Sequence, residues 1–275
     1  MKPNQAIDLL VANLKKAWDV RQPSGILCHK FKFIYFPIAK VAGSSIRMMI
    51  AEMEGLPVTG KPYQLPFELV RMRELKDYPD YQQVVVVRDP WARLYSCYKG
   101  KMCWQRMGDG KLVRRTELTP GFARYNRLLG PKMFDLDMTF GEFVRSVGRI
   151  PDAFADRHFR SQYKAFSHPD GTPFAGRIVR LENFQEDMQS FLTGVGAGGF
   201  ELKHLNRSSD REYLEQYDDD LANMAARRYR RDIELLKYTS PQVQPNRFGA
   251  SASATANSVI VTFANLTDYA HIFPV

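Results

Sequence analysis

Residues 31–47 read FKFIYFPIAKVAGSSIR, and the order of residue types in that stretch sets the frame for the chain around it. The aromatic run over 31–36 predicts a strand. After Pro37 the chain passes through Lys40, small residues and Gly43, and an apolar helical spacing resumes over 44–54. A strand that turns directly into a helix leaves the first helical N–H groups without partners and presents the positive end of the helix dipole. Small residues at that point let the backbone wrap an anion. The candidate cradle is Val41, Ala42, Gly43, Ser44 and Ser45, acting through backbone N–H groups and serine hydroxyls, with Lys40 as a point charge. An ordinary serine helix cap is the structural alternative. The loop is neither a nucleoside triphosphatase cradle, which needs lysine after the second glycine of GxxxxGK[ST], nor a dinucleotide fingerprint of the form GxGxxG.

A second stretch, QQVVVVRDPWARLYSCYKGK over 82–101, repeats the strand, loop and helix grammar. Four consecutive valines predict a strand buried on both faces, as in parallel sheets covered by helices. Arg88 follows at its carboxyl end, where open parallel sheets bind ligands, and Ser96 lies about two turns into the next helix, expected over 90–104. Arg88 and Ser96 are therefore placed to clamp one phosphate while the Lys40 loop holds another. A third unit, RIVRLE over 177–182, precedes a helix that ends in glycine. Helices are also expected over 5–20, 66–78, 139–147, 152–166 and 210–237, with a Pro/Gly-punctuated loop over 55–66. RRYRRD (227–232) reads as a solvated helix face.

Composition narrows the classes. The chain of 275 residues, 44% hydrophobic, can bury the core of one large domain, expected over 1–239, and 240–275 reads as a low-complexity linker and tail whose VIVTF could dock as a strand. Neither a membrane span nor a signal peptide is read, so a cytoplasmic protein is expected. Cys28, Cys97 and Cys103 have no spacing for a zinc site and cannot all pair. The net charge of +9 points to an anionic partner without choosing among nucleic acid, acidic polymer and phosphorylated nucleotide.

At these residues the chain resembles the sulfotransferases that use 3′-phosphoadenosine 5′-phosphosulfate (PAPS), and within them the carbohydrate sulfotransferases of the chondroitin and heparan type. AKVAGSSIR is similar to their 5′-phosphosulfate loop and VRDPWARLYSCYKGK to their 3′-phosphate motif. DRHFRSQ (156–162), RLENFQEDM (180–188) and HLNRSSDREYLEQY (204–217) with YRRDIELLKY (229–238) match further stretches in order, so the resemblance covers about 30–238. Ala39 stands where proline is usual, and Phe159 and Ser161 replace tryptophan and proline.

The resemblance implies a P-loop-like three-layer α/β/α fold with a central, mostly parallel sheet. It implies metal-independent, in-line transfer of a sulfuryl group from PAPS to the hydroxyl of a saccharide, or of a small hydroxylated natural product. Lys40 would stabilise the leaving phosphate, and Arg88 and Ser96, with Asn206 and Ser208, would fix the 3′-phosphate. His158 is the candidate base, flanked by Asp156, with Glu54 and Glu68 as rivals. His204 is placed near the nucleotide. A kinase would need a Walker lysine and magnesium carboxylates, which are not in position. A non-enzymatic nucleic-acid-binding protein would account for the charge but not for the two loops.

Overall fold

The computed structural model describes residues 23–57, 61–107, 111–200 and 212–240. The helix expected over 5–20 and the tail beyond residue 240 lie outside them.

A five-stranded sheet forms the centre, with strands β1 (Ser24–Cys28), β2 (Phe33–Phe36), β3 (Leu69–Arg71), β4 (Gln82–Val87) and β7 (Arg177–Arg180) in the order β3-β1-β2-β4-β7. β2, β4 and β7 run parallel, with Phe36 opposite Val85 and Val87 opposite Arg180. Val84 to Val87 are all at most 1% exposed, as expected for the strand in the middle of that set. The expected α/β sheet is present with its parallel strands β2, β4 and β7, and β1 makes it mixed by pairing antiparallel with both β2 and β3. Only residues 29–32 join β1 to β2, which is enough for a hairpin and far too short for a parallel crossover. Gly25 makes that pairing possible, since a Cβ there would stand 2.2 Å from Ile34 Cγ2.

Alternation sorts the strands onto two faces. Ile26, Cys28, Phe33 and Tyr35 join a core with Met49, Ile50 and Met53 of helix α1 (Gly43–Met53), and Phe191 and Leu192 of the helix after β7 share it. Leu27, Ile34, Phe36 and Val70 turn the other way, onto Tyr78, Tyr81 and Phe174. A separate core gathers Trp91 and Leu94 of helix α2 (Pro90–Tyr98) with Phe122, Phe143, Leu221 and Tyr229. It is built by α3 (Pro120–Leu129), α4 (Phe140–Gly148) and α6 (Asp219–Arg228), while α5 is Phe184–Gly194 and α7 is Arg230–Leu236.

Four helical expectations are revised. Residues 66–78 form β3 and a 3₁₀ turn over Met72–Asp77, because Leu69–Arg71 finds the open edge of β1 and the Glu74 carboxylate accepts from Arg71 N–H at 2.8 Å. Residues 152–166 hold only two short 3₁₀ turns, since side chains take the amide bonds that a helix would use: Ser161 N–H donates to Asp152, and Gln162 and Tyr163 N–H groups donate to Asp232. The expected helix 90–104 ends at Tyr98 and continues as a π-turn over Lys99–Cys103, followed by the hairpin β5 (Trp104–Arg106) and β6 (Leu112–Arg114). The long helix expected over 210–237 breaks at Tyr229, whose hydroxyl donates to the Phe159 carbonyl at 2.8 Å. The RRYRRD stretch is not a solvated face throughout: Tyr229 and Asp232 are buried, and Arg228 pairs with Asp152 at 2.8 Å.

Candidate active site

Both segments expected to bind phosphate emerge at the carboxyl ends of adjacent parallel strands. After β2, Lys40 (φ 73°) and Ala42 (φ 59°) adopt the left-handed conformation, although neither is glycine. Each such residue costs about 1 kcal/mol, so the surrounding structure holds the loop in a shape it would not choose alone. Ala42 is the N-cap of α1 and supplies no side-chain cap, and the first turn carries no acidic residue. The serine-cap alternative therefore fails: Ser44 lies inside the helix and donates from Oγ to the Tyr63 hydroxyl at 3.2 Å. The helix start thus carries no side-chain cap, and its dipole end faces the loop.

After β4, the Asp89 carboxylate caps α2 by accepting from Ala92 N–H at 2.8 Å, and Pro90 occupies the first turn. Burial pushes the Asp89 carboxyl up to about 6, with the Glu182 carboxylate adding to the effect. The Arg88 backbone is held at both ends by Gln162, a buried residue whose amide in turn rests on Asp232. Burial likewise raises Asp232 to about 6.

Two clefts open over these elements. The first, about 790 Å³, is lined by Lys40, Gly43, Ser44, Ser45, Arg88 and Ser96, with Lys99 and Trp104 along its rim. All the candidate phosphate ligands among the described residues except Val41 face it; Val41 is fully buried and can contribute only its backbone. Such a volume is ordinary for a nucleotide-sized ligand. The second cleft, about 670 Å³, is lined by Arg47, Lys101, Arg157, His158 and Lys164. Lys40 belongs to both. Burial, reinforced by the like charges of Lys101, Arg88 and Arg115, brings the Lys40 ammonium down to about 8.

His158 borders the second cleft, and its Nδ1 lies 2.5 Å from Asp156 Oδ1, whose oxygen also accepts from His158 N–H at 2.9 Å. That bond assigns the proton to Nδ1 and leaves Nε2 as the acceptor nitrogen. Burial holds the imidazole below its ordinary value, Asp156 opposes that, and Lys101 and Arg157 add to the lowering. The rival glutamates are elsewhere. Glu54 accepts from Lys30 N–H and Cys28 Sγ, and Glu68 lies 2.9 Å from His29, all at the β1–β2 turn and so at the opposite end of β2 from Lys40. Neither glutamate lines either cleft. Asn206, Ser208 and His204 lie outside the described residues.

Residue-type reasoning missed three contributors. Gln162 clamps Arg88 as above. Lys101 faces the second cleft and sits half-buried. Arg93, 1% exposed, donates from Nε to the Ala39 carbonyl at 3.0 Å and from Nη2 to the Arg157 carbonyl at 3.3 Å, tying the Lys40 loop to the His158 segment. The one available signal for Arg93 was a cation on the otherwise apolar face of α2, among Trp91, Leu94 and Cys97.

Among the described residues no cluster of His, Cys, Asp and Glu could hold a metal ion, and no helix is long and apolar enough to cross a membrane. A family profile described as the sulfotransferase family matches residues 24–239. No curated protein and no solved structure gives a match.

Proposed function

The chain belongs to the sulfotransferase family, and we propose that it moves a sulfuryl group from PAPS to the hydroxyl of a saccharide without a metal ion. The observation that carries this reading is that the two clefts meet at Lys40. One cleft has the features of a nucleotide donor site: an uncapped helix start, two left-handed backbone positions, and Arg88 and Ser96 from the next strand–helix unit. Beneath the loop, the buried Tyr35 hydroxyl, without a hydrogen-bond partner among the described residues, lies 3.8 Å from where a Gly43 Cβ would stand. This P-loop-like arrangement supports PAPS as the donor, with the 3′-phosphate on Arg88 and Ser96.

In the reaction so read, the sulfur–oxygen bond to the 5′-phosphate breaks as a bond to the acceptor oxygen forms. The acceptor proton passes to His158 Nε2, with Asp156 holding the imidazole. Lys40 offsets the negative charge that grows on the departing phosphate, an effect for which one preorganised donor is worth ~10²–10³ in rate. The second cleft supports an acidic acceptor: cations from separate segments, Arg47, Lys101, Arg157 and Lys164, line it, and among the described residues no carboxylate does. An acidic saccharide fits that lining better than a neutral natural product.

Incubation with labelled PAPS and a panel of acidic glycans, neutral glycans and small alcohols tests the reading, with label transfer expected to the acidic glycans. A nucleic-acid-binding protein would instead transfer no label and show no preference for 3′,5′-adenosine bisphosphate over AMP.

A further inference from the structure

The geometry points to Gly100 as a positioning residue that sets the Lys40 ammonium at the boundary between the two clefts. Residues 99–101 read Lys-Gly-Lys and open the π-turn that follows α2. Lys99 lines the first cleft, Lys101 the second, and Gly100 both. One-turn π segments are frequent at functional sites. Here Gly100 in the turn lines both clefts.

A Cβ placed on Gly100 would stand 2.6 Å from Lys40 Nζ and 3.8 Å from its Cε, and beyond the turn's own neighbouring residues no other described atom would lie within 4 Å. The backbone gives no reason for glycine here. Gly100 does not occupy the left-handed region, and helical backbone favours alanine over glycine. The turn is also held independently, since Arg115 donates from Nε to the Gly100 carbonyl at 3.2 Å. What the missing methyl provides is room for one ammonium group. Because Nζ is the far end of a flexible side chain, adding the methyl displaces the charge at little cost to the fold. The displaced ammonium no longer opposes the charge on the leaving phosphate, and it moves toward the water of the clefts.

This inference rests on the sulfuryl-transfer reading for its effect on rate, and on geometry alone for its effect on Lys40. Gly100→Ala is expected to leave the melting temperature undiminished and the affinity for 3′,5′-adenosine bisphosphate within about threefold, while kcat falls at least tenfold. In a Lys40→Ala background the same substitution should cost nothing further, since the group it displaces is gone. Independently of turnover, the ¹³Cε resonance of Lys40 should titrate at higher pH in Gly100→Ala than in the wild type, as the ammonium regains solvent. Full kcat in Gly100→Ala, an equal loss in the Lys40→Ala background, or an unchanged Lys40 titration would each overturn the proposal. A wild-type protein that neither binds the bisphosphate nor transfers label would instead overturn the reading beneath it, and the lysine titration would still decide whether Gly100 positions that side chain.

Discussion

Gln162 grips Arg88 by both polar groups of its backbone: the side-chain Nε2 donates to the Arg88 carbonyl at 2.7 Å, and Oε1 accepts from the Arg88 N–H at 3.0 Å. The pair is separated by more than seventy residues of chain and mimics one more rung beside β4 where the strand ladder has stopped. Replacing Gln162 with leucine removes both of these bonds to the Arg88 backbone, each worth about 0.5–1.5 kcal/mol. The expected outcome is a lower melting temperature together with weakened binding of 3′,5′-adenosine bisphosphate, read by calorimetry. Weakened stability with unchanged nucleotide affinity would show that Arg88 keeps its place unaided.

Lys40 and Arg88 line one cleft but are expected to fail differently. Lys40→Ala should lower kcat by roughly 10²–10³ with modest change in bisphosphate affinity, because its charge opposes one that grows in the transition state. Arg88→Ala should chiefly raise the dissociation constant. Steady-state kinetics paired with equilibrium binding separates the two, and a Lys40→Ala enzyme with near-normal kcat contradicts the role given to the lysine.

The titrating groups define a pH window for kcat/KM. His158 must be neutral to accept a proton, and burial lowers its value, so the acid limb should fall below the ordinary histidine range of about 6.5. Lys40 must be protonated, so activity should decline as pH rises through about 8. Bound donor is dianionic around the lysine and should move the alkaline limb of kcat upward. His158→Ala should remove the acid limb and lower kcat by about 10²-fold. Asp156→Asn should lower kcat while leaving bisphosphate affinity alone, by releasing the imidazole from the tautomer that frees Nε2. A pH profile unchanged by His158→Ala would assign the proton transfer to another group.

Lys101 tests the acceptor side. If acidic groups of the saccharide dock on the second cleft, Lys101→Ala should raise KM for acidic acceptors about tenfold, the worth of one hydrogen bond to a charged group. KM for a neutral acceptor should hardly move. Equal effects on both would argue that Lys101 serves the donor or the fold.

The parts of this architecture legible in the sequence are those in which one short stretch carries its own signal. The valines of β4 announce a buried strand, and the change of period between Tyr35 and Ser45 marks a loop that enters a helix. β1 was not assigned because five residues between Pro23 and a turn carry little period of their own, and β3 because its three residues are held by β1 rather than by propensity. The turns around His158 hid behind helix-forming residues, since the Asp152 side chain at the start of that segment and Asp232 from outside it capture the amides. The expected cradle could be named residue by residue. Its division into two clefts could not, because Arg47, Lys101 and His158 come from three elements whose meeting at Lys40 is tertiary.

Arg93 gives that meeting a fixed scale. Its guanidinium spans from the Ala39 carbonyl to the Arg157 carbonyl, so the gap between the wall that carries Lys40 and the wall that carries His158 is set by the span of one rigid, planar group. On the sulfuryl-transfer reading, a side chain used in this way is a spacer gauge: exchanging residues around His158 would change the shape of the acceptor wall while leaving the distance to Lys40 the same. Acceptor shape and transfer distance would then rest on different residues of the same cleft.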